Sequence, residues 1–144
     1  MKLLVASPAC CPRKTLPQAL AFFQAIGFTY LEVFTDWVES RFDFSQPPSD
    51  YRSQCEAQGL RVYSMHLPRV DSVAGVDDAV RYAQAAVELG ASVIIYKAHT
   101  LDTYRETLGT FLDRTQSLGL TTVITHHAGT AIEHPEHMGR CWRR

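Results

Sequence analysis

The sequence lacks the features that mark membrane proteins, nucleic-acid-binding proteins and disulfide-rich proteins. No run approaches the ~20 consecutive apolar residues of a membrane span. There is no excess of positive charge, since 14 Lys and Arg stand against 15 Asp and Glu. The four cysteines, at positions 10, 11, 55 and 141, do not have CxxC spacing. We therefore expect a cytoplasmic protein with reduced thiols that has neither a membrane nor nucleic acid as its partner.

The chain also lacks linkers and low-complexity segments. Its 144 residues are 46% hydrophobic and 20% charged, which is the usual balance of a globular protein. A chain of this length can bury one substantial core. We expect a single domain that spans residues 1–144.

A helix, a glycine and a strand follow one another four times along the chain. The four junction glycines are Gly27, Gly59, Gly90 and Gly119, at intervals of 32, 31 and 29 residues. Glycine is favoured there because a helix often ends in a left-handed residue. Strict alternation of helix and strand predicts a parallel sheet with right-handed crossovers.

The pattern predicts five strands and, between them, four helices. The expected strands are Leu3–Ser7, Tyr30–Phe34, Val62–His66, Ser92–Lys97 and Thr122–His126. Thr15 and Gln18 form a capping-box pattern at the start of the first helix. Ile132–Met138 is expected to form a fifth helix that is cut short.

Polar side chains collect on one face of the predicted sheet. Because side chains alternate along a strand, the shared face is expected to carry Glu32, Ser64, His66, Lys97, His99, Thr125 and His127. An open sheet covered by helices on both sides should be apolar on both faces. A barrel instead gathers polar groups at the carboxyl ends of its strands.

This face favours an α/β fold of TIM-barrel type, as a partial barrel of about five parallel strands. The alternative is an intact, five-stranded flavodoxin-like binding domain, which suits the length. However, "SPACCPRKT" after the first strand contains no glycine for a phosphate-binding loop.

The polar residues also have structural explanations. A histidine at a strand end often only completes a hydrogen bond, and Glu32 could pair with Lys97 as a buried ion pair. His134 and His137 are better explained as a solvated helix face. Three histidines that end three successive strands nevertheless indicate a functional site.

Four stretches carry a resemblance to a known family: "GFTYLEVF", "GLRVYSMHLP", "GASVIIYKAH" and "GLTTVITHHAGTAIEHPEHM". In their order and spacing they resemble the xylose isomerase-like superfamily of TIM barrels. That superfamily includes sugar-phosphate isomerases and epimerases, inosose dehydratases and endonuclease IV-like enzymes. The resemblance covers nearly the whole chain as an order of elements.

The resemblance implies metal-assisted proton transfer on a keto-sugar or related polyol. The implied ligands of a divalent metal (Mn, Mg, Zn or Co) are His66, His99 and His127. Glu32 or His127 would then move the proton, and Lys97 would stabilise the negative charge that develops. The implied partner is a small sugar or polyol.

The sequence departs from that family in two ways. Where the fifth strand usually supplies a carboxylate, this chain has Thr125. A complete barrel takes ~250 residues, so we expect a truncated or frameshifted product, or a fragment. Two exposed sheet edges would favour a homo-oligomer. A non-catalytic, self-associating remnant of the fold is therefore an alternative to an active isomerase.

Overall fold

The computed structural model describes residues 3–125, 127, 129–134 and 136–137. The strands are β1 (Val5–Ala6), β2 (Tyr30–Val33), β3 (Arg61–Val70), β4 (Val93–Ala98) and β5 (Thr121–Ile124). The helices are α1 (Leu16–Ile26), α2 (Pro48–Ala57), α3 (Gly75–Leu89) and α4 (Leu101–Thr115). Short 3₁₀ turns follow β1, at Pro8–Cys10, and α4, at Gln116–Leu118.

The five strands form one parallel sheet in the order β1-β2-β3-β4-β5. Each crossover moves to the next strand in the same direction, so right-handed connections place all the helices on one face. The predicted partial barrel is confirmed. The flavodoxin-like alternative is wrong, because that fold reverses its strand order and puts helices on both faces.

The predicted strands overlap the observed ones, and the ends differ most in β3. β3 continues to Val70, four residues beyond the predicted end at His66. β4 ends at Ala98, so His99 lies just beyond it. The predicted helix Ile132–Met138 lies partly outside the described residues, because residues 135 and 138 are not among them.

The helix ends follow the local signals in the sequence. At the start of α1, the Gln18 side chain accepts a hydrogen bond from the Thr15 backbone N–H at 3.0 Å. At the helix ends, Gly27 and Gly90 have φ angles of 94° and 84°. A side chain at these angles would strain the backbone, which explains the glycine at these junctions.

The core lies between the sheet and its layer of helices. Met65 and Ile94 are fully buried on the helix-facing side of β3 and β4. Tyr96 of β4 packs against Phe111 of α4, with 4.5 Å between ring centroids. The other face of the sheet is left for polar side chains. Within the described part of the chain, no helix has the length and apolar character needed to cross a bilayer.

Candidate functional site

A cavity of about 430 Å³ opens on the face of the sheet that carries no helices. Every strand, or the residue just after it, contributes to its wall. The contributing side chains are Ser7, Glu32, His66, Lys97 and Thr125, one from each strand in turn. Convergence at the carboxyl-terminal ends of parallel strands is where barrel enzymes place their chemistry.

Glu32 is the carboxylate at the centre of this wall. In β2 buried and half-buried residues alternate, so Glu32 points into the cavity while Leu31 and Val33 enter the core. Its Oε2 lies 3.0 Å from Nε2 of His66, and Ser7 also donates a hydrogen bond to it. Burial raises the pKa of Glu32, but these hydrogen bonds outweigh it and hold the pKa below its usual value.

His66 is held on three sides. Its ring stacks on Phe34 at 4.1 Å between centroids, with 9° between the planes. Its backbone carbonyl accepts a hydrogen bond from the Thr35 hydroxyl at 3.0 Å. Because Nε2 faces Glu32, the other ring nitrogen, Nδ1, is the one available to a bound molecule.

Lys97 and Arg69 supply positive charge to the same cavity. Nζ of Lys97 lies 3.3 Å from Oδ2 of Asp36. Arg69 is exposed and has no ion-pair partner among the residues that the structure describes. Burial lowers the pKa of Lys97, and the nearby Arg69 lowers it further, while Asp36 opposes both effects. The wall therefore pairs a carboxylate and an imidazole with two cationic groups.

A bulge in β3 brings Arg69 into the cavity. His66 pairs with Ile95, but Arg69 pairs with Lys97, so β3 holds one more residue than β4 over this stretch. In a regular strand His66 and Arg69, which are three positions apart, would point to opposite faces. Bulges of this kind redirect side chains near functional sites.

His127 reaches the cavity from the loop after β5. Its carbonyl accepts hydrogen bonds from the N–H of Thr130 at 3.2 Å and from the hydroxyl of Thr130 at 2.7 Å. Its own N–H donates to the carbonyl of the buried Ile132 at 3.0 Å. The loop is thus anchored by a turn and by one core side chain.

The structure brings together Glu32, His66, Lys97 and His127 but leaves His99 outside. His99 is exposed, and its N–H donates to the Val70 carbonyl at 2.9 Å. It does not contribute to the cavity wall. The alternative in which Glu32 pairs with Lys97 is wrong, because Glu32 contacts His66 and Lys97 contacts Asp36.

The described residues do not fit a metal site. Among residues 3–125 and the described part of the last loop, no three His, Cys, Asp or Glu side chains group closely enough to hold an ion. His66 is already hydrogen-bonded to Glu32. A structural zinc site takes four protein ligands and a catalytic one takes three, and the described residues supply neither set.

Several wall residues were not predicted from the sequence, among them Phe34, Arg69 and Trp37, for different reasons. Phe34 follows Glu32 by two positions, so strand alternation could have placed it on the same face. Arg69 was not predicted because the bulge in β3 changes the face to which its side chain points. Trp37 lies beyond the end of β2, where strand alternation no longer applies.

Replacing Lys97 by Met is expected to stabilise the fold by about 1 kcal/mol, or roughly 2–4 °C in Tm. Because the pKa of Lys97 is lowered in the folded state, its charged form costs stability at neutral pH. The cost disappears as the pH rises from the folded pKa towards the unfolded value of 10.5. The difference in Tm between Lys97→Met and the parent protein should become smaller as the pH rises over that range.

The matched control is Lys14→Met. Lys14 lies over the ring of Phe22 at 5.3 Å, outside the cavity wall. Its removal should not raise Tm. A loss of stability in Lys97→Met would mean that the contact with Asp36 outweighs the cost of burial.

These features define a class of fold: a five-stranded part of a TIM barrel with a polar cavity at the carboxyl ends of its strands. No protein-family model matches the sequence, and no curated protein matches it either. Solved structures do match, and among them are a xylose isomerase-like TIM barrel fusion protein and xylose isomerase domain proteins. At sequence identities below 20%, these likenesses show the fold.

Three solved structures illustrate the likeness. The IolI protein with a bound zinc atom shares 11% identity at a TM-score of 0.73, over 97% of this chain and 58% of its own. A xylose isomerase-like TIM barrel/4-hydroxyphenylpyruvate dioxygenase fusion protein shares 16% sequence identity at a TM-score of 0.74. The match covers 98% of this chain and 25% of the fusion protein. A sugar phosphate isomerase/epimerase from Parabacteroides distasonis shares 19% sequence identity at a TM-score of 0.61. The match covers 96% of this chain and 59% of that protein. The chain spans less than two thirds of each.

Proposed function

We propose that this chain carries an isomerase- or epimerase-type site that moves a proton on a keto-sugar or related polyol. The observation that carries the proposal is the 3.0 Å contact between Glu32 and His66 in the wall of the cavity. A carboxylate that holds an imidazole in place is a common arrangement for proton transfer. The fold it shares with a sugar phosphate isomerase/epimerase supports the same class of reaction.

In this proposal His66 takes the proton and Glu32 stabilises the resulting charge. Nδ1 of His66 removes a proton from the carbon beside the substrate carbonyl, and the electron pair moves to the carbonyl oxygen. The product is an enediolate and a protonated imidazole. Glu32 stays ionised because its pKa is lowered, so it stabilises that imidazolium. Return of the proton to the former carbonyl carbon, with transfer of the adjacent hydroxyl proton to the enediolate oxygen, gives the isomer. Return of the proton to the opposite face of the original carbon gives the epimer.

The two cations of the wall suit the negative charge in this reaction. The Lys97 ammonium would stabilise the enediolate oxygen through a charge-assisted hydrogen bond. Arg69, a planar donor without an ion-pair partner among the described residues, would bind a phosphate or carboxylate group of the substrate. This favours phosphorylated or acidic sugars over neutral ones.

The roles of His127 and of a divalent metal stay predictions. His127 lines the cavity and could serve as a second proton carrier. One structural neighbour contains a zinc atom, whereas the described residues here do not group as ligands. The chemistry assigned to Glu32 and His66 does not need the ion.

The test is the incorporation of solvent deuterium into ketoses dissolved in D₂O. Fructose, xylulose and their phosphates are incubated with the protein, with EDTA or with added manganese or zinc, and followed by proton NMR. We expect the NMR signal of the hydrogen on the carbon beside the carbonyl to disappear. The loss should be faster with the sugar phosphates than with the free sugars. If no compound exchanges under any of these conditions, the proposal is wrong. Binding without exchange would instead support a non-catalytic sugar-binding protein.

A further inference from the structure

The backbone at Trp37 adopts a conformation that large side chains rarely take. The N–H of Val38 donates to the carbonyl of Asp36 at 2.6 Å, which closes a three-residue γ-turn around Trp37. The φ angle of Trp37 is 38°. A γ-turn with positive φ is rare and strained, and a bulky residue there is an outlier. Such strain persists only where the surrounding structure holds it, and it concentrates at functional sites.

Burial of the indole does not compensate for this strain. The side chain of Trp37 is 60% exposed, although it lines the cavity. Its ring stands nearly perpendicular to that of Phe34, with 5.5 Å between centroids and 82° between planes. An exposed tryptophan gains little from the hydrophobic effect. The indole therefore lies in the cavity wall with much of its apolar surface uncovered.

The residues around the turn hold its backbone in place. Val38, directly after Trp37, is 1% exposed. The N–H of Glu39 donates to the Pro12 carbonyl at 2.8 Å, and the N–H of Phe42 donates to the Phe34 carbonyl at 2.8 Å. The backbone that carries Trp37 is thus fixed on both sides of the turn before a ligand binds. Such preorganisation favours binding.

Next to the indole, the wall continues as aromatic rings and then as charged groups. Phe34 contacts Trp37 on one side and stacks on His66 on the other. Lys97 and Arg69 follow on the next strands. This combination suits a ligand with an apolar C–H face and a polar rim. C–H groups carry partial positive charge, which the negative face of an aromatic ring attracts.

We propose that Trp37 is a specificity-determining residue, a platform on which the ring form of a sugar or a cyclic polyol stacks. The cavity then favours ligands that enter as a ring, while the hydroxyl groups meet Lys97 and Arg69. Proton transfer follows on a sugar that opens to its keto form in the cavity, or on a cyclic polyol whose carbonyl lies in the ring. This inference rests on the proposed function and deepens it, because it names the form in which the substrate binds.

The test uses the fluorescence of Trp37 itself. In a Trp142→Phe background Trp37 is the remaining tryptophan of the two, so its emission reports the platform. The probes are methyl β-D-glucopyranoside, which is locked as a ring with an apolar face, and sorbitol, an open chain with the same number of oxygens. We expect a saturable change in emission with the glucoside at an affinity about 10-fold or more above that of sorbitol.

Variants of Trp37 separate the platform from a structural role. Trp37→Ala should weaken binding of the glucoside by about 10-fold or more in calorimetry and remove the preference over sorbitol, and Trp37→Phe should keep part of it. Trp37→Gly should lose binding without lowering Tm, since glycine accepts positive φ. Phe22→Ala, on an exposed ring outside the cavity, is the control and should bind normally.

Two results would contradict the proposal that Trp37 is a stacking platform. One is equal affinity for the two probes, and the other is unchanged binding of the glucoside in Trp37→Ala. Failure of the proposed function is read separately, by deuterium exchange. Ring binding through Trp37 without exchange would leave the platform in place and contradict proton transfer. Exchange that is insensitive to Trp37→Ala would contradict the platform alone.

Discussion

Replacing Glu32 by Gln is expected to slow deuterium exchange by roughly 10²–10⁴-fold while the fold stays intact. The amide keeps the size of the side chain but loses the negative charge that stabilises protonated His66. Glu32 is ionised at neutral pH because its pKa is held below the usual value, so the substitution removes a full charge. The measurement is the exchange rate by NMR, with circular dichroism to confirm the fold.

Glu39→Gln is the matched control for this substitution. It makes the same chemical change seven positions along the chain, at an exposed residue outside the cavity wall. Its exchange rate should equal that of the parent. If Glu32→Gln exchanges at the parental rate, the pair of Glu32 and His66 does not carry the reaction.

The pH dependence of stability provides a second readout for Glu32. A carboxyl with a lowered folded pKa contributes stability above its unfolded pKa. The contribution is lost as the pH falls through the folded value. Glu32→Gln should therefore flatten the loss of stability in acid, below the unfolded value of 4.5. The exposed Glu39→Gln should leave the acid limb of the unfolding curve unchanged.

The largest effect on stability is expected from Phe111→Ala, at about 3–5 kcal/mol. Phe111 is fully buried where α4 packs on the sheet, and its ring meets that of Tyr96. Truncation leaves a cavity that the rigid sheet cannot fill. Since domains are stable by only about 5–15 kcal/mol, urea unfolding should show a large fall in midpoint.

The neighbouring Asp113→Ala tests whether position on the helix decides the effect. Asp113 is exposed on α4, and a surface substitution of this kind usually changes stability by less than about 0.5 kcal/mol. Equal effects of the two substitutions would mean that α4 does not pack on β4 as the structure shows.

The fold class could be predicted because local signals repeat along the chain. Each glycine junction marks a helix end, and the alternation around Glu32 marks one polar face. These signals depend on the residue itself and its near neighbours, which the sequence shows directly. They were sufficient to predict five parallel strands, a partial barrel, and the positions of Glu32, His66 and Lys97 on one face.

The partners of these residues depended on the tertiary structure. The sequence could not decide whether Glu32 pairs with Lys97 or with His66, since all three side chains lie on the same face. Strand order and register decide it: His66 lies on β3, next to Glu32 on β2, whereas Lys97 lies one strand further, on β4. Register depends on backbone hydrogen bonds between residues more than 30 positions apart, such as Glu32 opposite Ser64.

Local signals determined which elements form, their order along the chain and which strand faces are polar, because these properties follow from the period of apolar residues and from backbone preferences. Only the tertiary structure decided which side chains meet. The bulge in β3 turns Arg69 into the cavity, the end of β4 leaves His99 outside it, and the γ-turn presents Trp37. Each of these depends on one residue of register or one backbone angle, which long-range packing sets and the pattern of residue types does not record.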